Sequence, residues 1–266
     1  MSGLSEATLA AMSGVLASGH HARPDDIPAI AAQAGAQLGA AATTVLLVDL
    51  EQRVLVPLGV DRPTVAVEGT MAGRCFADVS VQESRSGSYL LIWAPLLDGT
   101  ERLGVVEFDF PARTAVDDCL RNACRLLTAL LAELTVTRVS YGDLIDQTRR
   151  RMPMSLPAEI AWNLLPPLTF ATERVVISGI VSPCYEVGGD SFDYAVNADV
   201  AHLAVFDAMG HGLEATLLSA VSLGAYRTRG AAGSTWSTPY AASTAGWPRT
   251  SAPAGSSPPS SVSWTC

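Results

Sequence analysis

Apolar and polar positions recur along this chain with two different periods, and the changes of period mark its parts. Over residues 4–18 and 26–41 apolar side chains return every three to four positions, which predicts two helices. In the second, Ile27, Ile30, Ala31, Ala34 and Leu38 share one face, and Asp25 stands where an N-cap belongs. The period then shortens. Residues 43–50 and 53–58 read as strands, and 88–97 and 102–110 as two more. Asp98-Gly99 joins the latter pair as a hairpin signal, because glycine accepts the positive φ of such turns. Residues 1–112 therefore predict two helices followed by an antiparallel sheet, an α+β domain.

From 114 to 151 the pattern is one long helix, bent or broken at Gly142. Leu120, Cys124, Leu127, Leu131 and Leu134 form its apolar stripe. Asp117 and Asp118 near its start and Arg149-Arg150-Arg151 near its end suit the helix dipole. The stripe serves either the core of this chain or a second copy in a homodimer. Past Pro153 the pattern predicts a helix at 158–165 ending at Pro166-Pro167. Strands at 174–181, 191–196 and 200–206 follow, then a helix at 212–226. The expected organisation is a domain at 1–112, a helical linker at 113–162, a second domain at 163–229 and a tail at 230–266.

Composition changes the picture at three points. Apolar residues make up 48% of the 266, enough for real cores. The net charge of −9 argues against a nucleic-acid binder, and the arginine cluster reads as a solvated patch at a helix end. All 17 basic residues are arginine, a coding bias that points to a GC-rich bacterial genome. Residues 230–266 hold no Asp, Glu, Leu or Ile, yet three of the five tryptophans. That stretch reads as a disordered tail or as translation in a shifted frame. The five cysteines form no CxxC pair, so neither a zinc site nor a disulfide framework is expected. With no secretory leader and no long apolar run, a cytoplasmic location away from membranes is the expectation.

The chemistry concentrates in residues 182–212, SPCYEVGGDSFDYAVNADVAHLAVFDAMGHG. Glu186, Asp190, Asp193 and Asp207 stand among apolar strand residues, and Asp207 closes the run 203–206. Burying a carboxylate costs free energy unless something positive compensates it. The sequence has no lysine, and no arginine between Arg174 and Arg227. A bound cation is the cheapest local solution, and carboxylates without a His or Cys cluster favour Mg²⁺ or Mn²⁺. Gly188-Gly189 before Asp190 and Gly210-His211-Gly212 after Asp207 supply tight turns. The second turn leads into a helix N-terminus, which favours anions such as phosphate.

These residues resemble a known family. EVGGDSFD followed by FDAMGHGLEA, with NLLPP ahead of them, is similar to SpoIIE- and RsbU-type phosphatases of the PPM superfamily over about residues 163–229. The resemblance implies a β-sandwich flanked by helices and a dinuclear Mn²⁺ or Mg²⁺ centre. Asp190 and Asp207 match ligand positions, and Ala208 matches the position that offers a backbone carbonyl. Glu186, Gly188, Gly189, Asp193, Gly210 and Gly212 match the supporting motif. His211 matches the GHG motif, either moving a proton or bonding the turn. The implied substrate is a phosphoserine or phosphothreonine protein such as an anti-sigma-factor antagonist. The family's later acidic motifs are missing, since no acidic residue follows Glu214. An incomplete sandwich with weak or no catalysis is therefore expected.

Residues 1–135 resemble a GAF sensor domain through LLVD at 46–49, VEGTMAGRCF at 67–76 and IWAPLLDGTERLGVVEF at 92–108. That resemblance implies a small-molecule ligand. Cys75 is either a cofactor ligand or a buried apolar thiol. The whole chain then reads as bacterial signalling, a GAF-regulated phosphatase. Its alternative is a GAF regulatory module carrying a non-catalytic phosphatase remnant.

Overall fold

The computed structural model describes residues 5–182, 184–186, 188–198 and 200–231. Of the tail at 230–266, positions 232–266 lie outside the described residues. By compactness the chain forms two units. One is Met1–Pro153 with Pro167–Ser178, and the other is Met154–Pro166 with Gly179–Cys266.

The first unit begins with α1 (Glu6–Gly19), whose Ser5 cap accepts the Thr8 N–H at 3.2 Å. Next comes α2 (Ile27–Gln37). Asp25 does not cap α2. Pro24–Asp26 forms a single 3-10 turn, and it is Asp26 that precedes the helix, its carboxylate accepting the Arg23 N–H at 2.9 Å. Then follow β1 (Ala42–Val48), β2 (Val54–Pro57), β3 (Val65–Ala66), α3 (Met71–Asp78), β4 (Gln82–Ser86), β5 (Tyr89–Asp98) and β6 (Glu101–Pro111). The strands make one antiparallel sheet in the order β3-β2-β1-β6-β5-β4. Gly99, at φ +57°, turns the β5–β6 hairpin as its sequence predicts. Asp49, 1% exposed, closes the β1–β2 turn by accepting the N–H groups of Arg53 and Val54.

Alternation divides the side chains of this sheet between two covers. Val45, Leu47, Ile92, Ala94, Val106 and Phe108 pack with Ile27, Ala31, Leu127 and Leu131 of the helical layer. On the other face Leu46, Val48, Leu55 and Val105 pack against Ala72, Cys75 and Phe76 of α3. Strands covered on both faces read as continuous apolar runs, which is what β1 and the middle of β6 show. Each fully buried Leu or Phe here contributes about 1.5–3 kcal/mol.

The long helix of the sequence reading is shorter. α4 (Asp118–Arg138) starts at the Asp117 cap, and its stripe of Cys124, Leu127, Leu131 and Leu134 is buried in this unit's own core. The apolar seam that a homodimer would use is occupied within the chain. After a 3-10 turn at Val139–Tyr141, Gly142 is extended and the helix is broken there, before α5 (Leu144–Arg149). Arg149 is not part of a solvated patch. Its guanidinium donates to the Val48 carbonyl at 3.1 Å, and burial lowers its pKa against the pull of Glu101, Asp146 and Asp49. β7 (Thr169–Ala171) and β8 (Val176–Ser178) pair as a small hairpin in this same unit. The Glu101 carboxylate anchors it by accepting the Thr169 N–H at 2.6 Å.

The second unit holds α6 (Leu156–Leu164), β9 (Ser191–Asn197), β10 (Val200–Phe206) and α7 (Gly212–Ala231). Ala204, Phe206, Leu223 and Tyr226 cluster with Leu164, and Ala158 and Ala161 cluster with Trp162 and Val181. Among the described residues this unit has one two-stranded sheet, not the sandwich expected for 163–229. The strand expected at 174–181 shortens to β8 and pairs with β7, because the Glu101 anchor and burial of Ile177 hold that hairpin in the first unit.

Candidate functional site

The register of one hairpin brings the two acidic turns together. β9 and β10 pair with Ser191 opposite Phe206. Asp190 immediately precedes one strand and Asp207 immediately follows the other, so both emerge at the same end of the ribbon. Desolvation, and then the charge of Asp207, raise the Asp190 pKa above the ordinary carboxylate value. The Ala208 N–H donates to the Gly189 carbonyl at 3.4 Å. A Cβ at Gly189 would stand 2.5 Å from the Ala208 carbonyl oxygen, so only glycine admits this approach. The three predicted ligand positions, Asp190, Asp207 and Ala208, thus occupy one corner.

The corner is braced from α7. The buried Thr216 hydroxyl lies 3.2 Å from the Gly188 carbonyl and 3.1 Å from that of Gly212, and Ser219 bonds Ser191. Gly210 and Gly212 sit at φ +94° and +73°, the left-handed conformations that turn the chain from β10 into α7. A shallow cleft lined by Ala161, Leu164, Ser219 and Leu223 opens beside Asp190.

The remaining motif residues do different things. Asp193 points inward from β9, 5% exposed, and binds Arg227 with both oxygens at 2.7 and 3.1 Å. Arg227 also donates to the Leu164 carbonyl at 3.0 Å, tying α6, β9 and α7 together. The missing positive charge is thus supplied for Asp193 by an arginine 34 residues downstream. Asp190 and Asp207, expected to be drawn out of water, are instead exposed at the strand ends, where water solvates them, and no ion pair among the described residues involves either. Glu186 and His211 are exposed. No group of three or more His, Cys, Asp or Glu side chains converges among the described residues. The donors present are therefore two carboxylates and a carbonyl, all hard oxygens of the kind Mg²⁺ and Mn²⁺ prefer, but few.

In the first unit Cys75 is fully buried and its thiol is pushed up to about 12, as is that of Cys124. Burial of this kind makes both inert. Sequence reasoning missed a polar cluster around Glu107, which accepts the Trp93 indole N–H and the Arg62 guanidinium. The available signal was a lone glutamate inside the apolar strand GVVEF.

No protein-family model and no curated protein matches this chain. Over about half its length the chain is similar to solved GAF domains. One is the GAF domain from Acinetobacter phosphoenolpyruvate-protein phosphotransferase, at 10% identity and TM-score 0.47, covering 53% of this chain and 99% of that one. A second is the GAF domain of a phosphoenolpyruvate-protein phosphotransferase from Coxiella burnetii, at 14% identity and TM-score 0.44, covering 53% and 100%. A third is the GAF-B domain of DevS from Mycobacterium smegmatis, at 14% identity and TM-score 0.39, covering 44% and 96%. No helix among the described residues is long and apolar enough to cross a membrane.

Proposed function

We propose that this chain is a signalling regulator. Its first unit senses a small molecule in the manner of a GAF domain. Its second carries the opening part of a SpoIIE-like divalent-cation site and has little or no phosphatase activity alone. One observation carries the second half of this reading: the β9–β10 register brings Asp190 and Asp207 to one corner beside the Ala208 carbonyl, close enough for the charge of Asp207 to raise the Asp190 pKa. Two close carboxylates repel, and a divalent ion relieves that repulsion.

Asp190, Asp207 and the Ala208 carbonyl would hold the ion. When bound, Mg²⁺ or Mn²⁺ supplies the charge that polarises a phosphoryl oxygen and acidifies a coordinated water. The chain's own residues do the positioning. Gly189 permits the approach, Thr216 fixes the turn, and the Arg227 clamp keeps Asp193 out of the ligand set. A phosphatase centre with two metals needs more carboxylates than this corner presents. Recognition of a phosphoserine or phosphothreonine protein, such as an anti-sigma-factor antagonist, is then retained with little turnover. The sensing half is supported by the GAF-like motifs at 46–49, 67–76 and 92–108, and by a sheet face that is polar in part.

Mn²⁺ binding by calorimetry, run beside Mn²⁺-dependent hydrolysis of p-nitrophenyl phosphate, tests the second unit. Weak binding that disappears in Asp207→Ala, with hydrolysis near background, is expected. Hydrolysis that depends on Asp207 would make the chain a working phosphatase, and Mn²⁺ binding indifferent to Asp207→Ala would remove the site. Thermal shift of the full chain against a panel of small metabolites tests sensing, and no shift from any of them would sink it.

A further inference from the structure

The sheet face beneath α3 is not uniformly apolar. One row across it is polar, since Gln82, Trp93, Glu107 and Thr44 stand opposite one another on β4, β5, β6 and β1. Glu107 is 8% exposed in the middle of the sheet. Its carboxylate accepts the Trp93 indole N–H and the Arg62 guanidinium, each at 2.9 Å. Arg62 also donates to the Thr44 hydroxyl at 2.8 Å. Asp109 is two residues further along β6 on the same face, and adds a second acidic group. Arg62 arrives from outside. It belongs to an exposed segment, 60–64, between β2 and β3, and its side chain is 43% exposed.

Folding alone does not call for this arrangement. A buried ion pair adds little net stability over apolar residues of the same shape. The next row of the sheet does without one, packing Leu46 and Val105 under α3. Without Arg62 the floor would present a desolvated carboxylate, a hydroxyl oxygen and a neighbouring aspartate. That is a set of acceptors with net negative charge, already shaped around a guanidinium.

We infer that this row is a binding site for an organic cation, the ammonium or guanidinium group of a small metabolite, and that Arg62 is its internal stand-in. The ligand's cation takes the place of the Arg62 guanidinium on Glu107 and Thr44, and the 60–64 segment lifts away. The inference deepens the sensing half of the proposed function, and rests on it, by naming the class of ligand. The sign of the charge follows from the acceptors, because an anion would meet Glu107 and Asp109. Competition by Arg62 lowers the apparent affinity of the resting chain by the fraction of time the floor is open.

The test titrates the full chain with agmatine and with butylamine, and with butyrate as the anionic counterpart, reading thermal unfolding and tryptophan fluorescence. Arg62→Ala is expected to bind agmatine about tenfold more tightly than the parent chain. Glu107→Gln and the double variant R62A/E107Q are expected to lose binding, and butyrate to bind none of them. The double variant removes both charges and keeps the test alive if Glu107→Gln alone fails to fold. Unchanged agmatine affinity in Arg62→Ala, or binding retained in the double variant, overturns the inference. Butyrate binding that vanishes in Arg62→Ala would also overturn it, by making Arg62 a reader of anions. A panel metabolite that shifts all variants equally would sink this site and leave sensing intact, whereas no shift from any compound would sink both.

Discussion

The β5–β6 and β9–β10 hairpins are written in similar apolar residues and end in different surroundings. In β5–β6 successive side chains find cover on alternate sides, so Ile92, Val105 and Val106 are all fully buried. In β9–β10 only one side is covered by described residues. Ala204 and Phe206 meet α7, while Leu203 and Val205 are 63% and 70% exposed. A strand that reads VAHLAVF has the composition of one covered on both faces. Apolar sequence therefore reports how many covers a strand is suited to, and packing reports how many it has.

Core substitutions test this contrast most strongly. Leu131→Ala in α4 should cost about 2–5 kcal/mol by urea denaturation, since its site is fully enclosed. Leu203→Ala should stay within about 0.5 kcal/mol. Equal losses would mean that the outer face of β10 is covered in solution. The next effect belongs to the clamp. Arg227→Ala leaves the buried Asp193 carboxylate without its bidentate partner and should destabilise the second unit by about 1–3 kcal/mol. A neutral result would show that the α6–β9–α7 cluster does not depend on it.

A smaller effect is expected at Glu101. Burial raises its pKa above the usual carboxylate value of 4.5, opposed by the Thr169 N–H, Arg149 and Arg102, and reinforced by Asp98. The folded chain then binds the proton more tightly than the unfolded one. Its contribution is fully present below the unfolded-state value and is lost as pH climbs through the raised folded-state value. Melting temperature measured against pH should decline across that window, and Glu101→Gln should flatten the decline. The mildest probe alters no residue. At pH 8 a thiol reagent should modify exposed Cys119 at once, and reach Cys75 and Cys124, with thiols pushed up to about 12, only after unfolding.

Much of the first unit was legible because its signals are local. Ile27, Ile30 and Ala31 give the period of α2, Asp98-Gly99 gives the hairpin, and the stripe of Cys124, Leu127, Leu131 and Leu134 gives the buried face of α4, which begins later than the expected residue 114. Gly142 reads as a bend or a break in the long helix, and it lies in the break between α4 and α5. What sequence could not give was the return of distant residues. Glu101 captures Thr169, which draws an expected sandwich strand into a hairpin of the first unit. Arg227 returns along α7 to Asp193 from 34 residues downstream, too far along the chain for local charge pattern to link the two. Arg62 reaches Glu107 across 45 residues, and neither pattern nor motif links them. Asp190 and Asp207 were legible as neighbours, because a short hairpin fixes its two ends side by side.

The path of the chain between its two units has a consequence for inheritance. It passes into the second at Met154, comes back at Pro167, and departs again at Gly179. No single crossover in the gene can exchange one unit whole. A junction after Pro153 leaves β7–β8 behind and deprives Glu101 of the Thr169 amide, and a junction after Ser178 carries α6 away from Arg227. The two units are therefore bound to travel through evolution as one piece.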